Sequence, residues 1–355
     1  MRVMAAMSGG VDSSVAAALL LSQGYTVCGA TLKLFDNEDI GLPDTAVCSS
    51  LKDIEDARRV ADKLGIAHYV FDFGELFKKE VIARFAKGYA EGVTPNPCIE
   101  CNRCIKFGKL LEHARLSGWD AIATGHYARV EYDDNTGRYL LKRSADESKD
   151  QTYVLYSLTQ DVLAHTVFPL GGLHKDEVRR IALEGGFANA NKPDSQDICF
   201  VKDGDYAGFL EKVWGLKSEP GDFTDSSGKV LGRHRGLIHY TIGQRKGLNL
   251  SLGRPVYVVS KDVGTNTVVI GDERELYSDR LYVTDLNIIP FESLEQPMRV
   301  SVKTRYTQIC APATIFPPEN GRLTVIFDTK QRAVTPGQAA VFYDRDYVVG
   351  GGRII

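Results

Sequence analysis

The sequence predicts an α/β protein: a Rossmann-like parallel sheet at the N-terminus, then a small linking domain, then a C-terminal β-barrel. Three observations carry this reading. Apolar runs and helical faces alternate from Met1 to about Phe200. Beyond about residue 204 the helical periodicity fades, and short β-branched runs appear between turn signals. The first strand–helix junction holds a glycine pair, Gly9 and Gly10, between serines. Alternation of this kind implies a parallel sheet covered on both faces, with ligands at the carboxyl ends of its strands.

Element by element, residues 3–7 read as a strand, 11–23 as a helix stopped by Gly24, and 25–34 as the next strand. Ile54, Ala57, Val60, Ala61 and Leu64 make one apolar helical face that ends at Gly65. Residues 68–73 read as a strand, 76–89 and 106–116 as helices, and 121–128 as a strand. The later runs 255–260, 267–270, 298–304, 323–327, 339–343 and 347–350 read as strands of a compact barrel or sandwich. The expected domains are 1–203, 204–275 and 276–355.

A length of 355 residues exceeds one ordinary core. Hydrophobic content of 43% and charged content of 25% are globular values, and no run approaches the ~18 apolar residues of a membrane span. No membrane partner is therefore expected. The chain opens on a strand with no basic-then-apolar leader, so a cytoplasmic protein is expected. The net charge of −3 announces no nucleic-acid binder, yet local basic patches can be concealed by an acidic remainder.

The first junction reads Met7-Ser8-Gly9-Gly10-Val11-Asp12-Ser13-Ser14. Glycines let the backbone approach an anion, and the free N–H groups of a first helical turn point at it, which makes a phosphate cradle. The bland alternative is a glycine turn feeding a capped helix. The loop lacks the Lys of the ordinary P-loop. Its S-G-G-x-D-S string resembles the pyrophosphate loop of ATP pyrophosphatases, which split ATP into an adenylate and pyrophosphate. That resemblance implies that Ser8, Gly9, Gly10, Ser13 and Ser14 hold pyrophosphate and that Asp12 helps to place Mg²⁺.

Seven cysteines, an odd number, argue against a disulfide scaffold and for thiol chemistry or metal. Cys28 reads as buried strand filling, while Cys48 and Cys310 have no informative context. Cys98, Cys101 and Cys104 stand at spacing three behind Pro95 and Pro97, which argue against helix before Cys98. Cys199 stands alone, near Asp194 and Asp197. Structural zinc is one reading, but it usually presents two C-x-x-C pairs, and a fourth ligand must come from elsewhere. Sulfur transfer is the other. An adenylate turns an oxygen into a leaving group, a sulfur nucleophile displaces it, and releasing a carried sulfur takes two cysteines that can meet. Arg103, Lys106 and a helix beginning near Asn102 would favour a thiolate at Cys101.

Further strings follow in order: N-P-C-I-E-C-N at 96–102, I-K-F at 105–107, G-H-Y-A-R at 125–129, K-D-Q at 149–151 and K-P-D-S-Q-D-I-C-F at 192–200. Y-T-I-G-Q-R-K-G-L at 240–248 and T-P-G-Q-A-A-V-F-Y at 335–343 complete them. With the loop, they resemble the tRNA-specific 2-thiouridylase family nearly end to end. The resemblance implies an enzyme that adenylates the C2 oxygen of the wobble uridine in Glu, Gln and Lys tRNAs and replaces it by sulfur, releasing AMP. It implies that Cys199 takes sulfur as a persulfide from an upstream sulfur donor. Cys101 would be the nucleophile that frees it, closing a transient Cys101–Cys199 disulfide. Ala6, Met7, Ser8, Gly9, Gly10, Val11, Asp12, Ser13, Leu32 and Gly125 would contact ATP, and Asn96, Pro97 and Cys98 the target base. Lys149, Asp150, Gln151, Arg305 and Tyr306 would contact tRNA, with His126 and Gln338 beside them.

Two departures stand out. Many family members carry Asp where this chain has Cys98 and lack a thiol at Cys104. Extra soft ligands favour a [4Fe–4S] cluster held by Cys98, Cys101 and Cys199, with one iron open to sulfide. Cys101 and Cys199 would then be ligands rather than redox partners. Leu32, where the family often has Met, is a mild change in an apolar adenine pocket. Two other functions stay open: an amide-forming ATP pyrophosphatase, which needs no paired cysteines, and a non-catalytic zinc-bearing RNA-binding module, which would consume no ATP.

Overall fold

The computed structural model describes residues 1–41, 49–194, 197–201 and 204–355. Cys48, and Ser195 and Gln196 of the 192–200 string, lie outside the described residues.

The N-terminal region contributes β1 (Arg2–Ala6), β2 (Thr26–Lys33), β3 (His68–Asp72), β4 (Ala121–Ala123), β5 (Ala128–Asp133), β6 (Arg138–Arg143) and β7 (Thr166–Val167). Five of these form a parallel sheet in the order β3–β2–β1–β4–β7. The central strand β1 is apolar on both faces because both are covered. Val3 and Ala5 pack with α1 (Val11–Ser22) and α2 (Ser49–Leu64), whose Val15, Leu20, Ala57 and Val60 share one cluster. Met4 points the other way, into a cluster with Phe77 and Phe85 of the helical run 74–90 and Leu110 of the run 97–116.

Two departures from the sequence reading shape the site. The strand expected at 121–128 is divided: β4 ends at Ala123, and β5 pairs antiparallel with β6 outside the parallel sheet. Between them Gly125 comes so close to the phosphate loop that a Cβ there would lie 2.7 Å from the Ser13 nitrogen. The helix expected near Asn102 begins at Pro97. Proline lacks an N–H, which costs nothing at the first helical position, and Asn96 Oδ1 caps the turn by accepting from the Cys98 N–H at 3.0 Å. From Cys101 to Lys109 the helix takes the wider π form, a geometry frequent at functional sites.

The central region is a small sheet of β8 (Gly221–Thr224), β9 (Val230–His234), β10 (Tyr257–Asp262) and β11 (Thr267–Gly271), in the order β10–β11–β8–β9. The C-terminal region supplies β12 (Tyr277–Ile288), β13 (Met298–Lys303), β14 (Ala311–Ile315), β15 (Leu323–Arg332), β16 (Ala339–Asp344) and β17 (Tyr347–Ile354). These run β12–β15–β14–β13–β16–β17, and β17 pairs back onto β12, closing a six-stranded barrel. Alternate side chains, Leu323, Val325 and Phe327 among them, fill its interior. The β5–β6 hairpin joins the barrel sheet through Tyr347 opposite Lys142.

The barrel is bolted to the N-terminal region just ahead of Cys98. The Thr94 N–H donates to Pro336 O at 2.9 Å, and Gln338 Nε2 donates to Thr94 O at 2.7 Å. Gly337 sits between them at φ +91°, where a side chain would be strained and would collide with Thr94.

Candidate nucleotide and thiol site

The phosphate cradle forms where β1 meets α1. Gly9 adopts φ +72°, and a Cβ there would meet Asp53 O, so the turn requires glycine. Gly10 is the N-cap, and no side chain caps the helix, which leaves its first-turn N–H groups for an anion. The serines stiffen the loop: Ser13 Oγ accepts from the Ser8 N–H at 3.1 Å, and Ser14 Oγ donates to Gly10 O at 3.0 Å. Gly125 packs on Asp12 and Ser13, and Ala6 and Leu32 lie partly buried at the carboxyl ends of β1 and β2. The residues expected to contact ATP therefore converge.

A ring of charge that the sequence reading missed surrounds this loop. Lys175, with only 9% of its side chain exposed, lies 2.8 Å from both oxygens of Asp12 and 2.8 Å from Asp194. Lys149 and Arg179 hold the same Asp194 carboxylate at 2.9 and 3.1 Å. Burial alone would raise the Asp194 pKa, but hydrogen bonds from Lys175 and Lys149 outweigh it and hold the group down to about 2. Tyr127 donates to Asp12 at 3.0 Å. Asn189 Nδ2 donates to Gly9 O and Ser14 Oγ, while Lys192 Nζ reaches Gly9 O and is paired with Asp53 and Asp56. Lys192 and Asp194 lay within a recognised string, which named no role for them. Lys175 and Arg179, four apart on one helix, carry no sequence signal, because such pairs are ordinarily surface.

Cys199 joins the thiols of the 97–109 helix. Cys98, Cys101, Cys104 and Cys199 are all free. Cys101 is buried, and Cys98 and Cys199 reach solvent. Desolvation nevertheless pushes the thiols of Cys101 and Cys199 up to about 11 and about 12, and that of Cys98 upward as well. Cys199 lies within electrostatic reach of Cys101 and Cys98, and Lys106 opposes the shift at all three. Cys104 is turned aside: its thiol faces Glu100, which is tied up with Arg84 and Arg103.

Asp12, 31% exposed in the first turn of the helix that follows the loop, would suit Mg²⁺, which is bound through one or two carboxylates together with phosphate oxygens. A [4Fe–4S] cluster fits less well. Among the described residues no group of three or more His, Cys, Asp or Glu side chains is arranged to hold a metal ion.

The residues expected to meet RNA are spread more widely. Asn96, Pro97 and Cys98 form the capped first turn of the thiol helix. Gln151 Oε1 accepts from the Tyr127 N–H, and buried Asp150 accepts from Thr152 Oγ1. His126 is buried against Phe107 and Phe168 and shares a 2.7 Å hydrogen bond with Thr124; burial, then Lys106, keeps its pKa well below the ordinary range. Arg305 ties the central region to the barrel through Ile242 O, Ala333 O and Thr335. Tyr306 is 41% exposed, edge-on to Tyr153. Among the described residues no helix is long and apolar enough to cross a membrane.

Three family models match in succession: the tRNA methyl transferase HUP domain over residues 1–203, the tRNA methyl transferase PRC-barrel domain over 207–272 and the aminomethyltransferase beta-barrel domain over 278–354. The chain is 54% identical over 357 residues to a tRNA-specific 2-thiouridylase MnmA of Acetivibrio thermocellus, covering 99% of each. It is 51% identical over 353 residues to the protein of the same name from Clostridioides difficile, covering 99% of this chain and 98% of that one. A solved 4-thiouridine synthetase–RNA complex with bound ATP matches 60% of this chain and 50% of its own at 20% identity, with a TM-score of 0.39, too loose to carry an argument. The domain descriptions speak of methyl transfer and the relatives of thiolation; paired thiols beside a phosphate cradle suit the second.

Proposed function

Because this chain belongs to the tRNA-specific 2-thiouridylase family, we propose that it replaces the C2 oxygen of the wobble uridine in Glu, Gln and Lys tRNAs by sulfur, consuming ATP and releasing AMP and pyrophosphate. The observation that supports this reading is the nearness of two thiols remote in sequence, Cys199 lying within electrostatic reach of Cys101. An amide-forming pyrophosphatase has no use for such a pair, and a passive RNA-binding module has no use for the cradle.

The steps follow from the groups present. The loop N–H groups and Ser13 bind the polyphosphate of ATP, and Gly125 leaves room for the chain to close over it. Mg²⁺, held by Asp12, would offset charge on the phosphate oxygens. The C2 oxygen of the extruded uridine attacks the α-phosphorus; a C2–O–P bond forms, and pyrophosphate leaves. Cys199 arrives loaded as a persulfide by an upstream sulfur donor. Cys101, after losing its proton, attacks the inner sulfur of that persulfide. The Cys101–Cys199 disulfide forms and hydrosulfide is expelled. Hydrosulfide adds at C2, the C2–O bond breaks, and AMP carries the oxygen away; external thiol then reduces the disulfide. Lys106, near all the thiols involved, favours their anionic forms. Exposed Tyr306 offers a ring on which an unpaired base can stack.

The test is tRNA-dependent pyrophosphate release together with 2-thiouridine formation. Cys101→Ser and Cys199→Ser are expected to bind ATP and tRNA but make no 2-thiouridine; full activity in both would remove the reading. Protein prepared without oxygen is expected to be colourless and competent. Iron-bearing brown protein whose activity depends on that iron would replace the persulfide scheme by a cluster.

A further inference from the structure

We propose that Lys149, Lys175 and Arg179 form the second half of the polyphosphate site, and that Asp194 occupies it as an internal anion which the phosphates of ATP displace. The inference rests on the nucleotide reading above and extends it to Lys175 and Arg179, which carry no assigned role, and to Lys149, which the family resemblance places at tRNA.

Three cations converge on one carboxylate, with Lys175 at 2.8 Å, Lys149 at 2.9 Å and Arg179 at 3.1 Å from Asp194 oxygens. Exposed ion pairs contribute little, but Lys175 is nine-tenths buried, and a buried ammonium needs an anion beside it. One carboxylate suffices for that, and Lys175 already has Asp12 at 2.8 Å. The further convergence of Lys149 and Arg179 makes a pocket built for more negative charge than Asp194 carries. Arginine and lysine together at short range are the groups that bind phosphate oxygens. Position supports the same conclusion. Lys175 shares Asp12 with the cradle, and two residues before Asp194 the Lys192 ammonium touches Gly9 O, so the carboxylate stands where a phosphate chain extending from the loop would lie. Asp194 is strongly anionic there, held down to about 2 against its burial by Lys175 and Lys149.

The experiment is calorimetric titration of the full chain, without tRNA, using MgATP and, separately, inorganic pyrophosphate. Asp194→Asn removes the competing anion and is expected to bind pyrophosphate several-fold more tightly than the unaltered protein. Lys175→Met is expected to lose at least tenfold, and Lys175→Arg to recover most of it. If Lys175→Met fails to fold, Lys149→Met, on a more exposed cation, is expected to weaken pyrophosphate binding in the same direction. Affinity in Asp194→Asn equal to or below that of the unaltered protein overturns the inference. Should the unaltered protein take up neither ligand, the nucleotide reading itself fails, an outcome distinct from the first.

Discussion

Gln338 Nε2 donates to the Thr94 carbonyl at 2.7 Å, so a loop of the C-terminal barrel holds the strand of chain that runs into Cys98. The barrel thereby fixes the chain four residues ahead of Cys98. Gln338→Ala is expected to cost about 1 kcal/mol of stability, the usual worth of one such bond. It should slow thiolation several-fold while MgATP affinity stays unchanged. Denaturant midpoints and parallel thiolation and binding assays check this, and unaltered thiolation would speak against a role for the bolt.

Gly125 is required by contact with the phosphate loop. A methyl group there would lie 2.7 Å from the Ser13 nitrogen and 2.8 Å from the Asp12 carbonyl carbon. Gly125→Ala is expected to push the loop outward at a cost of about 1–3 kcal/mol. MgATP affinity should fall at least tenfold, read by calorimetry, with the melting temperature lowered in the same variant.

Asp194 makes the fold acid-sensitive. Its folded pKa, about 2, lies below the ordinary 3.8, so its contribution to stability is present above about pH 4 and is lost as pH falls toward 2. The shift corresponds to on the order of 2 kcal/mol. The stability gap between the unaltered protein and Asp194→Asn is expected to be widest at neutral pH and to narrow from about pH 5 downward. A gap independent of pH would mean that Asp194 does not act as a charge.

Lys261 presents the opposite case. Its ammonium, 6.0 Å from the Tyr89 ring, is buried without a hydrogen-bond partner, and desolvation lowers its pKa to about 8. The folded group binds its proton less tightly than the unfolded one, so the penalty is full below pH 8 and fades toward pH 10.5. Lys261→Met is therefore expected to stabilise the protein by about 1 kcal/mol or more at pH 7. The gain should vanish near pH 10.5. Equal melting temperatures at pH 7 would contradict it.

The parallel sheet was legible because β1 is apolar at every position that two covered faces demand, and the cradle because the whole string Ser8–Ser13, not the glycine pair alone, falls at the first strand–helix junction. The break between β4 and β5 was hidden, since it depends on Gly125 meeting Ser13, a contact remote in sequence. The helix start at Pro97 was misjudged: two prolines looked like a barrier, whereas the second sits where its missing N–H is harmless and Asn96 supplies the cap. Strands β8 and β9 are short and largely polar, and nothing in their pattern marks them. The family resemblance implied that Cys101 and Cys199 act together; their electrostatic proximity depends on the fold. Lys175 shows the limit most clearly. On the sequence it is one more lysine at a helix start; in the fold it is a buried cation between two carboxylates.

In the proposed reaction Cys101 frees the sulfur carried on Cys199 by closing a disulfide with it. Protein carrying a persulfide on Cys199 should be mixed once with MgATP and tRNA, quenched without reductant, digested and weighed by mass spectrometry. A peptide pair joined Cys101 to Cys199 is expected, in amount equal to the 2-thiouridine made. Thiolated tRNA accompanied by two free thiols would contradict the account.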